Sequence, residues 1–319
     1  TGDGDAADNY TIGILKTTDG GTTWNTTGLS YFMANTRQIS KILIDPNNTQ
    51  TLLVASSAGI HRSTDGGNTF TLVQAGSFKD LEFKPGDPNT VYTAGTEFFR
   101  STDNGQTWTK ITSAFTAAAN LSRMAIAVTA NDGNYVYVLT AKAATDYGFE
   151  GIYKSTNSGA SFTKVTTSSP TNILGWASNG TGTGGQGWYD LAFAASPTNK
   201  DEIVTGGVNI WRSTNGGSSF NIIGHWTGSG APYVHADIHD LVYTSGGTIF
   251  SANDGGIFKT TNSGTSWTDL SDDLEIAQMY GFGQSSTNAN LLLQGWQDNG
   301  TNRYNGSWDQ VMGGDGMLC

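Results

Sequence analysis

The chain of 319 residues holds one cysteine, Cys319, and 6 prolines. A single thiol excludes a disulfide framework and a cysteine-based zinc site within the chain. No apolar run approaches the roughly 18 residues that a membrane-spanning helix needs, so no membrane span is expected. Charge is also scarce: Asp, Glu, Lys and Arg together make 13% of the residues, and 27 acids against 16 bases leave a net charge of -11. A surface of that sign repels phosphate, so neither nucleic acid nor an anionic membrane is expected as a partner. No leader segment is legible either. The opening Thr1-Gly2-Asp3-Gly4-Asp5 is polar and reads as the middle of a domain, which points to a trimmed chain from a longer protein.

What is abundant is turn chemistry. The 43 glycines stand among many Thr, Ser and Asn, the composition of an all-β protein rather than a helical one. Little lysine, almost no cysteine and much Thr and Asn fit a bacterial protein that is secreted or displayed on the outer cell surface.

The glycines belong to a repeat. It is first seen as Thr17-Thr18-Asp19-Gly20-Gly21-Thr22-Thr23-Trp24, then as Ser63 to Phe70, Ser101 to Trp108, Ser155 to Phe162, Ser213 to Phe220 and Thr260 to Trp267. A shortened version runs from Arg303 to Trp308. The shared grammar is Ser/Thr-x-Asp/Asn-x-Gly-x-Ser/Thr-aromatic. The acid or amide can fold back onto the N–H groups of its own turn, the glycine accepts positive φ, and the aromatic ring opens the outgoing strand. Asp19, Asp65, Asp103, Asn157, Asn215 and Asn262 are therefore expected to be structural. No bidentate Glu follows to close a calcium loop of the EF-hand type.

The aromatic positions recur at intervals of 38 to 58 residues, the period of a four-stranded propeller blade with variable loops. Within a period the order repeats. Lys41 to Ile44, Thr51 to Ala55 and Gly59 to Arg62 read as three strands ahead of a hairpin, and Asp80 to Phe83, Thr90 to Thr93 and Glu97 to Arg100 repeat them. Such strands cannot bury their faces alone, whereas stacked blades can. The expected fold is a single all-β propeller domain over residues 1–319, of about seven four-stranded blades. Only one strand precedes the first hairpin. Either the two ends complete one blade between them, or the chain is part of a larger propeller.

This grammar resembles the Asp-box, or bacterial neuraminidase repeat, family along essentially the whole chain. More narrowly, Val234-His235-Ala236-Asp237-Ile238-His239, Asn253-Asp254-Gly255-Gly256 and Gln297-Asp298-Asn299-Gly300 resemble the sortilin-like, xyloglucanase-like propellers of secreted Bacteroidetes proteins. That resemblance implies export by the type IX system. It implies the fold firmly and the activity weakly, because Asp-box propellers serve as sialidases, xyloglucanases, sorting receptors and assembly factors.

Candidate sites lie outside the hairpins. Aligned first strands put Lys41, Asp80, Arg123, Asp190, Asp240 and Tyr280 in a ring of mixed sign around the central channel. The densest polar cluster is His235 to Asp240. On a strand, His235, Asp237 and His239 would share one face, a set that suits either a transition metal or a polar scaffold that meets a ligand. Scaffold or ligand contact is the expectation, with no metal and no cofactor. A glycosidase needs two carboxyl groups across a cleft, which Asp190, Asp237, Asp240, Asp254, Asp298 and Asp315 could supply; the turns at Asp254 and Asp298 account for those two acids, and Asp190 and Asp240 are the candidate catalytic pair. Few arginines are available for a sialidase triad. Trp176, Trp188, Tyr189, Trp226 and Trp296 offer flat faces for a sugar or a protein, and the glycine-rich segment 179–187 between two of them reads as an exposed loop. These features point to a surface binding module for a glycan, polymer or protein. The alternative is a secreted endo-glycoside hydrolase of xyloglucanase type.

Overall fold

The repeated turn closes on itself wherever it occurs. In the second copy, Asp65 Oδ1 accepts from Ser63 Oγ (2.8 Å) and Thr69 N (2.9 Å), Asp65 Oδ2 accepts from Thr69 Oγ1 (2.7 Å), and Ser63 Oγ accepts from Gly67 N (2.9 Å). Where Asn replaces Asp the bonds persist: Asn157 Oδ1 accepts from Ser161 N and its Nδ2 donates to Ser161 Oγ. Each of the six side chains accepts a backbone N–H within its own turn. The shortened copy makes a tighter hairpin, with Asn305 N bonded to Ser307 O.

These hairpins organise a β-propeller. The computed structural model describes residues 11–166, 172–272, 274 and 278–316, so Cys319 and the opening Thr1 to Asp5 lie outside the described residues. Among the described residues seven antiparallel sheets follow one another, six of four strands and a first of two. The first sheet pairs Gly13–Lys16 with Asn25–Ser30 across the first Asp-box, so its two strands correspond to the third and fourth of the later sheets. In each later sheet the strands pair in chain order and the box joins the third to the fourth. The sixth sheet, for example, runs Ile238–Tyr243, Ile249–Asn253, Gly256–Thr260, Thr268–Asp269.

The second strands of the second to fifth sheets, and the strand that follows in the fourth, are largely buried on both faces. Leu53, Val54, Ala55, Tyr92, Tyr137, Leu139, Ile152 and Ile203 are fully covered, packed sheet against sheet. The box glycines take part in this stacking. A Cβ on Gly105 would meet Leu53 of the sheet before it at 2.6 Å, one on Gly159 would meet Tyr92 at 2.8 Å, and one on Gly264 would meet Ile223 at 2.5 Å. Each hairpin thus fits against the preceding sheet. The first strands face a central channel of about 640 Å³, where Lys41, Asp80, Glu82, Arg123 and Asp240 meet solvent.

A register shift recurs near the start of four first strands, between Ile39 and Lys41, Leu121 and Arg123, Ile238 and Asp240, and Met279 and Gly281. Such a bulge inserts an unpaired residue and re-aims its side chain. In the sixth sheet that residue is His239.

Candidate functional site

The segment from His235 to Asp240 does not keep a common strand face. Its strand begins at Ile238, Asp237 has φ of 61°, and His239 is the extra residue of the bulge. Alternation needs uninterrupted extended backbone, and both features break it. His235 therefore turns its Nε2 to the Asp298 carbonyl (3.1 Å), whereas His239 places its Nε2 2.7 Å from Asp254 Oδ1.

Asp254 and Asp298 sit in turns, yet the turns do not consume them. Asn253 Oδ1 accepts from Gly255 N, leaving the Asp254 carboxylate to receive Tyr189 Oη at 2.8 Å as well as His239. Asp298 adopts φ of 57°, its N–H donates to Asp315 Oδ1 (3.1 Å), and its side chain turns inward. One oxygen each from Asp237, Asp254 and Asp298 lie within 4.8 Å of one another. Asp190 lies behind Asp237 and is fully buried. Gln186 Nε2 links the two, donating to Asp237 Oδ1 at 2.8 Å and more weakly to Asp190 Oδ2 at 3.4 Å.

Crowded negative charge in a half-dry site raises carboxyl pKa values, and partners lower them. Burial, then the charge of Asp237, holds Asp190 well above the ordinary carboxylate range. Burial, then the charge of Asp254, raises Asp237. Asp298 is pushed up to about 7 by burial and by the charges of Asp254 and Asp315. Asp254 moves the other way: burial would raise it, but the bonds from His239 and Tyr189 outweigh burial and hold it down.

Above this cluster opens a cleft of about 580 Å³. His235, Asp237, Asp298 and Asp315 form part of its lining, and Trp176, Trp226 and Tyr233, exposed by 45%, 43% and 51%, stand around it. Of the aromatic candidates named from the sequence, Trp176 and Trp226 line this cleft. Trp188 instead packs against Tyr147 and Tyr189, Tyr189 sets its edge on the His239 ring at 4.8 Å, and the Trp296 indole bonds to Gln294. Neither Trp188 nor Trp296 lines the cleft. The glycine-rich segment is exposed only in its first half. Its second half is pinned by Gly184 N to Asp146, Asn172 Nδ2 to Gly184 O and Gly187 N to Tyr147 O, which delivers Gln186 to the cluster.

Asp190 and Asp240 do not face each other across a groove. Asp240 lines the channel, while Asp190 is buried against Asp237 beneath the cleft. The expected channel ring holds at Lys41, Asp80, Arg123 and Asp240; Asp190 and Tyr280 are not part of that wall. There the Lys41 ammonium binds Asp80 (2.8 Å) and Glu82 (2.5 Å), and burial pushes Glu82 up to about 7 against the pull of Lys41. Sequence reasoning missed Gln186 and Tyr233, and it set Asp254 and Asp298 aside as turn residues. One usable signal was the doubled Asn253-Asp254, in which the Asn alone suffices for the turn.

Residues 58–186 match the family model described as sortilin, neurotensin receptor 3. No curated protein matches the chain. Among solved structures, the chain is similar to the GH74 xyloglucanase from Xanthomonas campestris (16% identity, TM-score 0.59, covering 87% of this chain and 44% of that one). It is similar also to an ancestral GH74 enzyme (14%, 0.57, 86% and 39%). A third likeness is to the extracellular domain of a putative hybrid two component system from B. thetaiotaomicron (13%, 0.50, 86% and 33%). The chain spans less than half the length of each, and at such identities the likeness establishes the fold. No helix among the described residues is long and apolar enough to cross a membrane.

Proposed function

For an Asp-box β-propeller that is sortilin-like over residues 58–186, we propose an extracellular or surface-displayed binding module whose ligand is a neutral glycan seated in the cleft between Trp176, Trp226 and Tyr233. The observation that carries this reading is the pairing of three exposed rings with a carboxylate floor in one concave site. Rings stack on the C–H faces of pyranoses, and carboxylates accept sugar hydroxyls in charge-assisted hydrogen bonds. The same floor repels uronates and sialic acids. The rim is preorganised, since His225 N bonds to Pro232 O and Asn209 Nδ2 holds the Gly175 carbonyl beside Trp176, which limits the entropy lost on binding.

Hydrolysis is the second reading, supported by the opposed shifts of Asp298 and Asp254, the pattern by which acid and base are set apart. Binding is favoured because both oxygens of Asp254, the acid held low, already accept from His239 and Tyr189, which leaves it poorly placed to act as nucleophile or base. A glycan array paired with a reducing-end assay tests both. Expected is retention of neutral oligosaccharides, lost in a W176A/W226A variant of unchanged melting temperature, with no new reducing ends. Retention of acidic glycans alone, or binding that survives the double variant, overturns the reading.

A further inference from the structure

Three segments that are distant in sequence bring acids to one point: Asp190 from the segment after the glycine-rich loop, Asp237 and Asp254 from the sixth sheet, and Asp298 with Asp315 from the seventh. His239 pairs with one of these carboxylates, Asp254. An independent observation comes from beneath. Asp190 is fully buried, the Gln186 amide ties it to Asp237, and its Oδ1 has no hydrogen-bond donor among the described residues. A buried carboxyl oxygen left without a donor calls for a positive partner close by.

We propose that Asp237, Asp254 and Asp298 bind a calcium-class divalent cation at the base of the cleft, with Asp190 as the buried carboxylate behind Asp237. This departs from the expectation of no metal, and from the His235, Asp237 and His239 set considered for a transition metal. The donors that converge are oxygens, which suit a hard cation. The imidazoles are turned to other work, with His239 Nε2 on Asp254 Oδ1 and His235 Nε2 on the Asp298 carbonyl. The left-handed backbone of both Asp237 and Asp298 sets their carboxylates toward the same point. A cation there ties the seventh sheet to the sixth, where the direct polar links include His235 to Asp298 and Asn299 Nδ2 to the Asp254 carbonyl (3.2 Å).

The test needs no glycan, so its failure is separate from that of the proposed function. The intact chain, stripped with EDTA, is titrated with Tb³⁺ under tryptophan excitation, since Trp176 and Trp226 line the same cleft. It is then back-titrated with Ca²⁺, and Ca²⁺ binding is measured by calorimetry alongside the melting temperature. Expected is one saturable site displaced by Ca²⁺, a melting temperature that rises with Ca²⁺, and loss of the site in D237N/D298N but not in the exposed control D272N. D190N weakens Ca²⁺ about 10–100-fold, as a group behind a ligand does. If the wild-type chain shows neither Ca²⁺ heat nor a thermal shift at millimolar Ca²⁺, binds Zn²⁺ in preference, or keeps its Tb³⁺ site in a folded D237N/D298N variant, the proposal is overturned. The wild-type measurements decide the matter even where a variant fails to fold.

Discussion

Gly105 and Leu53 interlock: Gly105 sits at φ of 75° in the third Asp-box, and a methyl added to it would lie 2.6 Å from Leu53 Cδ2 of the sheet before. Backbone freedom and close approach are both required there, so only glycine serves. Gly105→Ala is expected to destabilise by about 1–3 kcal/mol in urea unfolding, through strain at positive φ and overpacking of the core. Gly246→Ala, whose added methyl meets nothing nearer than 3.9 Å, is expected to stay within about 0.5 kcal/mol of wild type.

The Asp-boxes give an acid limb to stability. Hydrogen bonds from the Thr69 side chain and backbone, then from Ser63, lower Asp65 to about 2, and Asp19 is held at about 2 by its own Thr23 and Thr17. An unfolded Asp titrates near 4, so the contribution is complete above about pH 4 and is lost as pH falls toward 2. A D19N/D65N/D103N variant keeps the turn bonds, as Asn157 shows. Thermal melts of this variant should decline less steeply than wild type between those two values.

In the channel the sign reverses. Burial raises Glu82 to about 7 although Lys41 opposes it, while an unfolded Glu titrates near 4.3, so its contribution is complete below about pH 4 and is lost as pH rises through 7. Glu82→Gln should flatten that loss in melts from pH 5 to 8. Lys41→Met leaves Asp80 and Glu82 without their shared cation, and is expected to cost about 1–3 kcal/mol at neutral pH.

Two tryptophans separate cleft from scaffold. Trp226→Ala removes a ring that lines the cleft, and is expected to weaken glycan binding by about tenfold or more. Trp188→Ala removes the packing against Tyr147 and Tyr189, and is expected to lower the melting temperature with little change in affinity. Parallel affinity and melting curves check both.

The fold was legible because the turn chemistry is local: Asp65, Ser63 and Thr69 satisfy one another within seven residues, so the motif reads directly as a hairpin. The site was only partly legible because it depends on departures from local rules. The bulge at His239 and the left-handed Asp237 defeat strand alternation, and a side chain such as Asp254, assigned to its turn, proves to belong to His239 and Tyr189 instead. Tyr233 and Asp315 reach the cleft only through sheet-to-sheet placement, which no local pattern encodes.

The interlocking of each box with the sheet before it also predicts how the molecule breathes. The third to fifth sheets are held on both sides, by the clusters around Leu53 and Leu81, Tyr92 and Phe98, Leu139 and Ile203, and Val204 and Ile238. By contrast, Ile42 and Ile44 of the second sheet, and Met279 and Phe282 of the seventh, remain exposed. In a stack coupled through nearest neighbours, opening starts where a sheet is gripped on one side only. Amide hydrogen exchange should therefore be slowest on Val136–Lys142 and Ile203–Gly206 and quicken outward, with Met279–Gln284 among the first strands to exchange.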